Sequence, residues 1–328
     1  MIAILGIMEM AEVISLGLLV ADIFASPLDS LPAAGELSAI DRYLLSVGGC
    51  AANAAADLVR LGRTSRVLGK VGDDLFGEFV LRDLKRLGID ASFVSKSRTH
   101  PTSCTFIVNV RGQDRRYIHC FGANADFSIA DVNWKALDGA RALHVGGFLA
   151  MPAFRPEDLV QLFREAKKRG LLTVLDVVIP AGAAPSLDEL REALAYSDAF
   201  LPNNDEAQVL TGRNDPLEQA EVLAQFNPDC AIVITLGKAG ALARRRSEIL
   251  RADAFKVDSI DESGGGDAFA AGFLVGMLEG WPLEDSLRFA SAAGASCTRA
   301  MGCHAGVFTY EEARAFIARN HLGVTKVS

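Results

Sequence analysis

The sequence lacks paired cysteines, long hydrophobic runs and an excess of positive charge. Its six cysteines are dispersed through 328 residues with no Cys-x-x-Cys pair, which argues against a disulfide framework or a zinc site and predicts a reducing, cytoplasmic environment. No apolar run reaches the roughly 18 to 20 residues that a membrane span needs. The formal net charge of −8 argues against nucleic-acid and anionic-membrane surfaces, since both depend on clustered Lys and Arg. Small molecules are therefore the expected ligands.

What the sequence does have is an alternation of strand-like and helix-like segments. Stretches with helical spacing separate short runs that are rich in β-branched and apolar residues, namely VISLGLLV, RALHVG, LLTVLDV and AIVITLG. This alternation predicts a doubly wound, mostly parallel α/β sheet in a single domain over residues 1–328. The opening residues 1–10 lack the basic region and cleavage site of a signal peptide and are interpreted as a first strand or a ragged start.

One segment has no helix between its strands. Residues 101–124 are typical of a β-hairpin with a glycine-containing turn around residues 111–114. Together with residues 26–47 the hairpin is expected to form a small second sheet, a lid or dimer surface; the alternative is an edge hairpin that covers the core. Phe106, Val108 and Ile118 alternate onto one face and need cover, which a twofold partner supplies. The segment therefore predicts a homodimer.

The stretch DESGGGDAFAAGF, residues 261–273, places three glycines and a carboxylate in front of an apolar helix. Gly264, Gly265 and Gly266 lack Cβ atoms, so their amides can approach a ligand closely. The first N–H groups of a helix have no internal partners and attract phosphate, although neither the P-loop nor the dinucleotide-binding motif is present. Asp267 is predicted to accept the proton of a hydroxyl that attacks phosphorus; the alternative is an ordinary helix N-cap.

The glycine stretch is preceded by two further motifs, VGGCAANAAADLVRLG and GKVGDDLFGEFVLRDLKRLGID. With these motifs in this order and separation, the sequence resembles the ribokinase-like (PfkB) carbohydrate kinases from about Val13 to Val307. It departs from the usual family pattern at Gly265, where Ala is common, and at Glu262, where Thr is common. Glu262 adds a negative charge close to the expected phosphates.

The resemblance implies a sugar site near the N-terminal motif. Asp22 matches the carboxylate that accepts hydrogen bonds from sugar hydroxyls, and it is expected at the end of the first strand. Gly48, Gly49 and Asn53 match the motif that lines the same site. A polyol needs directional acceptors, and glycines let it lie against the backbone. From the pattern alone, the alternatives are a surface turn for Asp22 and a plain strand-to-helix turn for the glycines.

The resemblance also implies a nucleotide site with a metal ion. Asn203 and Glu206, in LPNNDEAQVLTG, match an Asn-x-x-Glu motif that organises Mg²⁺ and the phosphates, largely through water; the alternative is a capping box. Thr235 and Gly237, in ITLGKAGAL, match a strand beside the ribose and phosphates. Ser291 begins SAAGASCTRAMGCHAG, which resembles the helix and loop that wall the adenine. ATP and Mg²⁺ are therefore the expected cofactors.

A monovalent cation such as K⁺ is implied in the same region. In several relatives an acidic residue and a hydroxyl matching Asp261 and Ser263 hold this ion together with carbonyls of the adenine-side loop. The histidines are not assigned to the site. His304 is interpreted as a solvated loop residue, and His119 and His144 as structural.

Taken together, the resemblance predicts ATP-dependent phosphoryl transfer to a primary hydroxyl of a small sugar, with Asp267 as the base. Two alternatives stay open. A nucleoside kinase of the same family needs an aromatic wall for its base, for which Tyr43 and Phe24 are the candidates. A catalytically silent sugar-binding regulator is the other alternative, but it would have no need of Asp267 and the glycines.

Overall fold

The computed structural model describes residues 11–113 and 116–327. Within them the strands are β1 (Val13–Gly17), β2 (Val20–Ala25), β3 (Tyr43–Gly48), β4 (Ser65–Leu68), β5 (Lys70–Gly72), β6 (Ser95–Ser97), β7 (Cys104–Val108), β8 (Arg116–Cys120), β9 (Ala142–Gly146), β10 (Leu172–Leu175), β11 (Ala199–Phe200), β12 (Ala231–Thr235), β13 (Ala241–Arg245), β14 (Glu248–Ala252) and β15 (Val324–Lys326). The α-helices are α1 (Cys50–Arg60), α2 (Leu75–Arg86), α3 (Pro156–Lys168), α4 (Leu187–Ala195), α5 (Asn204–Thr211), α6 (Pro216–Ala224), α7 (Gly265–Leu278), α8 (Leu283–Cys297) and α9 (Tyr310–Arg319). The first strand expected within residues 1–10 lies outside the described residues.

The main sheet has the strand order β15-β14-β13-β12-β11-β10-β9-β1-β4. The strands from β12 to β4 in this order are parallel, and β13, β14 and β15 extend the other edge antiparallel. Parallel strands need cover on both faces. Apolar residues of α3 to α6 form a core on one face, and those of α1, α7, α8 and α9 form a second core on the other. The predicted doubly wound α/β fold is confirmed.

Helix α7 is apolar around nearly its whole circumference and lies in the interior. Between Ala268 and Leu278 every residue except Met277 is buried, so the helix needs neighbours on all sides. It packs between α1 and α8, and a Cβ at Gly272 would stand 2.9 Å from the Cα of Ala290 on α8. Packing therefore fixes the helix whose N-terminal end carries the glycine run. Among the described residues no helix combines the length and hydropathy of a membrane span.

The chain leaves the main sheet at Gly17 and enters a second sheet of order β3-β2-β7-β8. At this point the backbones are in close contact, since a Cβ at Gly17 would stand 2.0 Å from the carbonyl oxygen of Gly146. The expected placement of Asp22 at the end of the first strand is wrong, because β1 ends at Gly17 and Asp22 lies within β2. VISLGLLV has the appearance of one strand because all its residues except Ser15 and Gly17 are apolar, but the chain changes sheets inside it.

The second sheet contains the predicted hairpin. β7 and β8 pair antiparallel within residues 101–124, β2 runs parallel to β7, and β3 pairs with the outer side of β2. Residues 26–47 contribute one named strand to this sheet, β3, at the end of the segment. The strand next to it, β2, ends before the segment begins. Phe106 and Ile118 are direct cross-strand partners and are 48% and 64% exposed, so this face of the sheet presents apolar surface to solvent. Asp114, in the predicted turn, lies outside the described residues.

Candidate active site

The glycine run forms the N-cap and first turn of α7. Gly264 is the N-cap, with a φ of 76°, and a Cβ there would stand 2.3 Å from the carbonyl oxygen of Cys303. Both the backbone conformation and the contact therefore require glycine. Gly265 and Gly266 open the helix, whose first N–H groups have no partners within it. This turn presents converging amides and the positive end of the helix dipole.

Asp267 is the third residue of α7, so it does not occupy the N-cap position considered as its alternative role. Its carboxylate accepts a hydrogen bond from Nδ2 of Asn53 at 2.8 Å. Burial raises the pKa of Asp267 to about 6, although hydrogen bonds from Asn53 and Cys50 partly oppose the shift. A carboxylate with this pKa is ionised at neutral pH and is basic enough to take a proton from a hydroxyl in a transition state.

Helix α1 supplies a second helix start at the site. Gly49 is its N-cap, and Asn53 follows one turn later with only 4% of its surface exposed. While Nδ2 of Asn53 is bonded to Asp267, its Oδ1 is buried and has no hydrogen-bond partner among the described residues. A buried acceptor without a partner is costly. This oxygen is therefore suited to a ligand hydroxyl.

Asp22 lies over the turn that leads into α1. A Cβ on Gly48 would stand 1.8 Å from Oδ2 of Asp22, so the glycine makes room for the carboxylate. Burial raises the pKa of Asp22 to about 6, a hydrogen bond from Thr105 lowers it, and the charge of Asp267 raises it again. The structure thus brings Asp22, Gly48 and Asp267, predicted from separate motifs, into one site.

A row of polar side chains crosses the second sheet on the face that carries Asp22. Ser46 and Thr105 are the direct neighbours of Asp22 on β3 and β7, and His119 is the neighbour of Thr105 on β8. Oγ1 of Thr105 lies 3.0 Å from Nδ1 of His119, and Thr105 is the register partner of Asp22, so the polar row extends from His119 to Asp22. Interpreting His119 as purely structural missed this arrangement, because strand register cannot be derived from one hairpin sequence.

A cavity of about 530 Å³ borders the glycine loop. Its wall includes five of the residues predicted for phosphate and nucleotide binding, which are Thr235, Gly237, Gly265, Gly266 and Ser291. Phe255 and Phe269 add apolar surface to the same wall. An apolar pocket with a few polar groups and a helix N-terminus at one side has the character of a nucleotide site.

An ion pair crosses the wall of this cavity. Nζ of Lys238 lies 2.9 Å from Oε1 of Glu262, and the two side chains are 88% and 52% exposed. The negative charge that Glu262 adds near the glycine loop therefore has a partner. Because both groups are exposed, the pair contributes little to stability and can be exchanged for other partners.

Comparison with known proteins agrees with this geometry. A family profile described as pfkB family carbohydrate kinase matches residues 10–309. The chain belongs to this family. As a member it is an ATP-dependent sugar kinase.

A 5-dehydro-2-deoxygluconokinase of Clostridium perfringens is 30% identical over 308 residues, which cover 90% of the kinase described here and 89% of the relative. Two solved structures share the fold. A ribokinase of Arabidopsis thaliana complexed with ribose and ATP has a TM-score of 0.78 at 23% identity, over 94% of this chain and 98% of the other. A putative ribokinase II of E. coli in complex with ATP and Mg²⁺ has a TM-score of 0.81 at 20% identity, over 94% and 100%.

In the kinase, Asn203 and Glu206 form a capping box at the start of α5. The amide of Asn203 donates to Oε2 of Glu206 and the amide of Glu206 donates to Oδ1 of Asn203, both at 2.9 Å. A parallel bridge joins Asn203 to Thr235 of β12. Burial raises the pKa of Glu206 to about 7, and the charge of Asp267 adds to the shift. Capping and proximity to the site thus coexist in the same residues.

Asp261 and Ser263 of the kinase are both buried, beside the glycine loop. One carboxylate oxygen of Asp261 accepts a hydrogen bond from the amide of Ser263, and the other accepts one from the amide of Gly302, each at 3.0 Å. Asp261 therefore ties the glycine loop to the loop that follows α8. Their role as ligands of a monovalent cation stays a prediction.

Besides His119, three residues of the kinase site were missed by sequence reasoning. Asp176 directly follows β10, in LLTVLDV, and the carboxyl end of a parallel strand is the position where site residues are expected. Cys50 follows Gly49 in the N-terminal motif but carries no signal of its own. Lys238 lies between the two glycines of ITLGKAGAL, and only the structure shows that it faces Glu262.

Proposed function

We propose that this kinase transfers the γ-phosphoryl group of ATP to a primary hydroxyl of a small sugar, with Asp267 as the general base. The observation that carries the proposal is the position of Asp267 beside the first-turn amides of α7, with a pKa raised to about 6. The hydroxyl oxygen bonds to phosphorus as its proton passes to Asp267, and ADP leaves with the electrons of the broken bond. The amides of Gly264, Gly265 and Gly266 stabilise the charge on the transferred group.

The acceptor sugar lies between the second sheet and α1. Its hydroxyls donate to Asp22 and to Oδ1 of Asn53, and its ring rests against the backbone of Gly48 and Gly49. The carboxylates of Asp22 and Asp267 and the Oδ1 of Asn53, which has no partner among the described residues, are all hydrogen-bond acceptors. Such a set suits a ligand that offers several hydroxyl donors. Thr105 lies beside Asp22 on the neighbouring strand β7.

The nucleotide lies in the cavity that borders the glycine loop. Thr235 and Gly237 contact the ribose and phosphates, and Ser291 lies on the side of the adenine. The apolar wall, to which Phe255 and Phe269 contribute, suits a planar base. The phosphates then reach the first turn of α7 from the cavity, while the acceptor reaches Asp267 from the side of Asp22.

The residues present fit Mg²⁺, the metal that the family implies. Burial raises the pKa of Asp176 well above its usual range, and the charges of Glu206 and Asp267 raise it further. Carboxylates that repel one another in this way favour a cation, and oxygen is the ligand that Mg²⁺ prefers. Asp176 would hold it directly and Glu206 through water, with Asn203 orienting Glu206. The ion would supply charge neutralisation at the phosphates.

The second sheet serves as a lid over the acceptor and as a dimer surface. Its polar row faces the acceptor, while its opposite face exposes Phe106 and Ile118, with Val108 on the same face. A twofold partner would cover this apolar surface. Light scattering at micromolar concentration should give the mass of a dimer, and a monomeric mass would remove this part of the proposal.

Two further expectations belong to the same proposal. The cysteines are all free thiols, which supports a reducing, cytoplasmic location. A monovalent cation at Asp261 and Ser263 would order the loops that they join. Comparing activity in K⁺ with activity in a bulky organic cation tests the second expectation, since equal rates would count against it.

The nucleoside-kinase alternative is not favoured by the two candidate aromatic residues. Tyr43 is 72% exposed and pairs with Ala25, so it lies on the face of the second sheet opposite Asp22. Phe24 is fully buried against Ile107 and Cys303. Neither side chain therefore forms an exposed wall against which a base could stack.

A coupled ADP-release screen tests the proposal. D-ribose, D-fructose, 5-dehydro-2-deoxygluconate and adenosine are offered with ATP and Mg²⁺. We expect ADP release to depend on a sugar and to exceed the rate with adenosine. Turnover with adenosine but with none of the sugars would favour a nucleoside kinase. Absence of ADP release with every acceptor in a broad panel would favour the silent regulator.

A further inference from the structure

A thiol and two carboxylates meet at the catalytic centre from three different elements. Cys50 is the first residue of α1, Asp176 follows β10, and Asp267 lies in the first turn of α7. One potential ligand atom from each residue, the Sγ of Cys50 and a carboxylate oxygen of each aspartate, lies within 4.8 Å of the other two. No step of the proposed phosphoryl transfer uses this thiol.

The surroundings of the cluster favour a cation. The groups that shift the pKa of Cys50 upward are, after burial, Asp267, Asp176 and Glu206. Among the described residues, the groups that shift the pKa values of Asp176 and Asp267 include carboxylates, a backbone amide, Asn53 and the thiol, but no Lys or Arg. The acidic groups of the cluster thus lie together with no cationic side chain among the groups that act on the two aspartates, and a divalent ion would favour their deprotonated forms.

Two buried side chains next to the cluster carry polar atoms that have no hydrogen-bond partner among the described residues. Oδ1 of Asn53 is buried without a hydrogen bond, on the same amide group whose nitrogen contacts Asp267. Both ring nitrogens of His144, a residue only 2% exposed, have no partner among the described residues. Cε1 of His144 and Cβ of Cys50 both lie within 3.0 Å of the point where a Cβ of Gly146 would stand, so the ring carbon between these nitrogens lies close to Cys50. Such groups are available to a metal ion or its bound water.

From this geometry we propose that Cys50, Asp176 and Asp267 form a three-ligand site for a thiophilic divalent cation such as Zn²⁺, which blocks the kinase by occupying its base. Zn²⁺ accepts thiolate sulfur as well as carboxylate oxygen, and thiolate ligands select thiophilic ions, whereas Mg²⁺ prefers oxygen alone. Binding forms the metal–sulfur bond and releases the thiol proton to solvent. The blocking effect rests on the proposed role of Asp267; the binding itself does not.

Cobalt(II) titration without ATP or sugar tests the site directly. A cobalt–thiolate bond gives a charge-transfer absorption band in the near ultraviolet, which no oxygen-only site produces. We expect the band in the wild type and in Cys120→Ser, a matched control at the exposed thiol of β8. In Cys50→Ser and Cys50→Ala it should be absent. A band that is missing from the wild type, or that persists in both Cys50 variants, overturns the proposal.

Zinc inhibition of ADP release then tests the consequence. Because loss of even an outer-shell partner weakens a metal site by about 10- to 100-fold, loss of the thiol ligand in Cys50→Ser should raise the inhibitory Zn²⁺ concentration at least about tenfold. Equal zinc sensitivity in the wild type and Cys50→Ser contradicts the inhibitory role. A cobalt band in a protein without kinase activity would refute the proposed function while leaving the metal site standing, so the two failures are distinguishable.

Discussion

Replacing Asp267 with Asn should remove the chemistry and leave the fold intact. Asn is nearly isosteric, and its side-chain oxygen can still accept the hydrogen bond from Nδ2 of Asn53, which measures 2.8 Å in the wild type. It cannot take the proton of the acceptor hydroxyl, so we expect kcat to fall about 10²- to 10⁴-fold. The measurement is kcat for the best sugar in the ADP-release screen.

The same substitution should raise stability at neutral pH. Burial raises the pKa of Asp267 from 3.8 to about 6, so the ionised carboxylate costs the folded state on the order of 3 kcal/mol at pH 7. The neutral acid carries no such cost. The contribution of Asp267 to the free energy of unfolding is therefore fully present below about pH 3.8 and is lost as the pH rises through about 6. We therefore expect Asp267→Asn to be more stable than the wild type at pH 7, by up to about 3 kcal/mol, and equal to it below about pH 4. Urea unfolding at both pH values gives the comparison.

A carboxylate outside the site provides the control. Asp285 lies in the first turn of α8 with 57% of its side chain exposed, and Asp285→Asn should leave kcat unchanged. If Asp267→Asn keeps kcat within about tenfold of the wild type, with single-turnover kinetics showing that chemistry limits the rate, Asp267 is not the base. Loss of activity together with loss of stability at pH 7 would instead indicate a structural role.

Other perturbations should act on the nucleotide side and on protonation. Since the pKa of Asp267 is raised to about 6, and Asp22 titrates in the same range, kcat/KM should fall at least about tenfold per pH unit below that value, and a flat profile down to pH 5 would contradict it. Glu262→Gln frees Lys238 for the phosphates, so KM for ATP should fall roughly two- to fivefold; an unchanged or higher KM would refute this reading of the ion pair. Gly264→Ala forces a Cβ to 2.3 Å from a carbonyl oxygen at a φ of 76°, so the free energy of unfolding in urea should fall by at least about 1 to 3 kcal/mol. Gly266→Ala is the control, because nothing lies within 4 Å of its Cβ, and it should lower the free energy of unfolding by less.

Local patterns were sufficient to predict the parallel sheet and the helix start at the glycine run. Fully buried strands are mostly apolar, as β1 and β9 are apart from Ser15 and His144, and a helix N-terminus is determined by the residues next to it. The break between β1 and β2 could not be predicted in this way. This break depends on the close approach of Gly17 to Gly146, two residues far apart in the sequence. Because the chain leaves the main sheet at this contact, Asp22 lies in the second sheet.

Contacts between distant segments account for the rest of what was missed. About a hundred residues of chain separate Cys50 from Asp176, and a similar length separates Asp176 from Asp267. Only the folded sheet brings the three side chains together. Likewise, the charge of Glu262 seemed unbalanced in its own segment, because its partner Lys238 belongs to the loop after β12. Pairing of this kind depends on strand order and loop length, which one sequence does not specify.

The product of the reaction tests the central claim most directly. After turnover of ATP with the best sugar, proton-coupled phosphorus NMR should show a new phosphomonoester signal split by two equivalent or near-equivalent protons, because a primary hydroxyl places the phosphate on a CH₂ group. The same experiment with Asp267→Asn should show almost no product in the same time. A signal split by one proton, or inorganic phosphate as the only product, would contradict the proposed transfer to a primary hydroxyl held at Asp267.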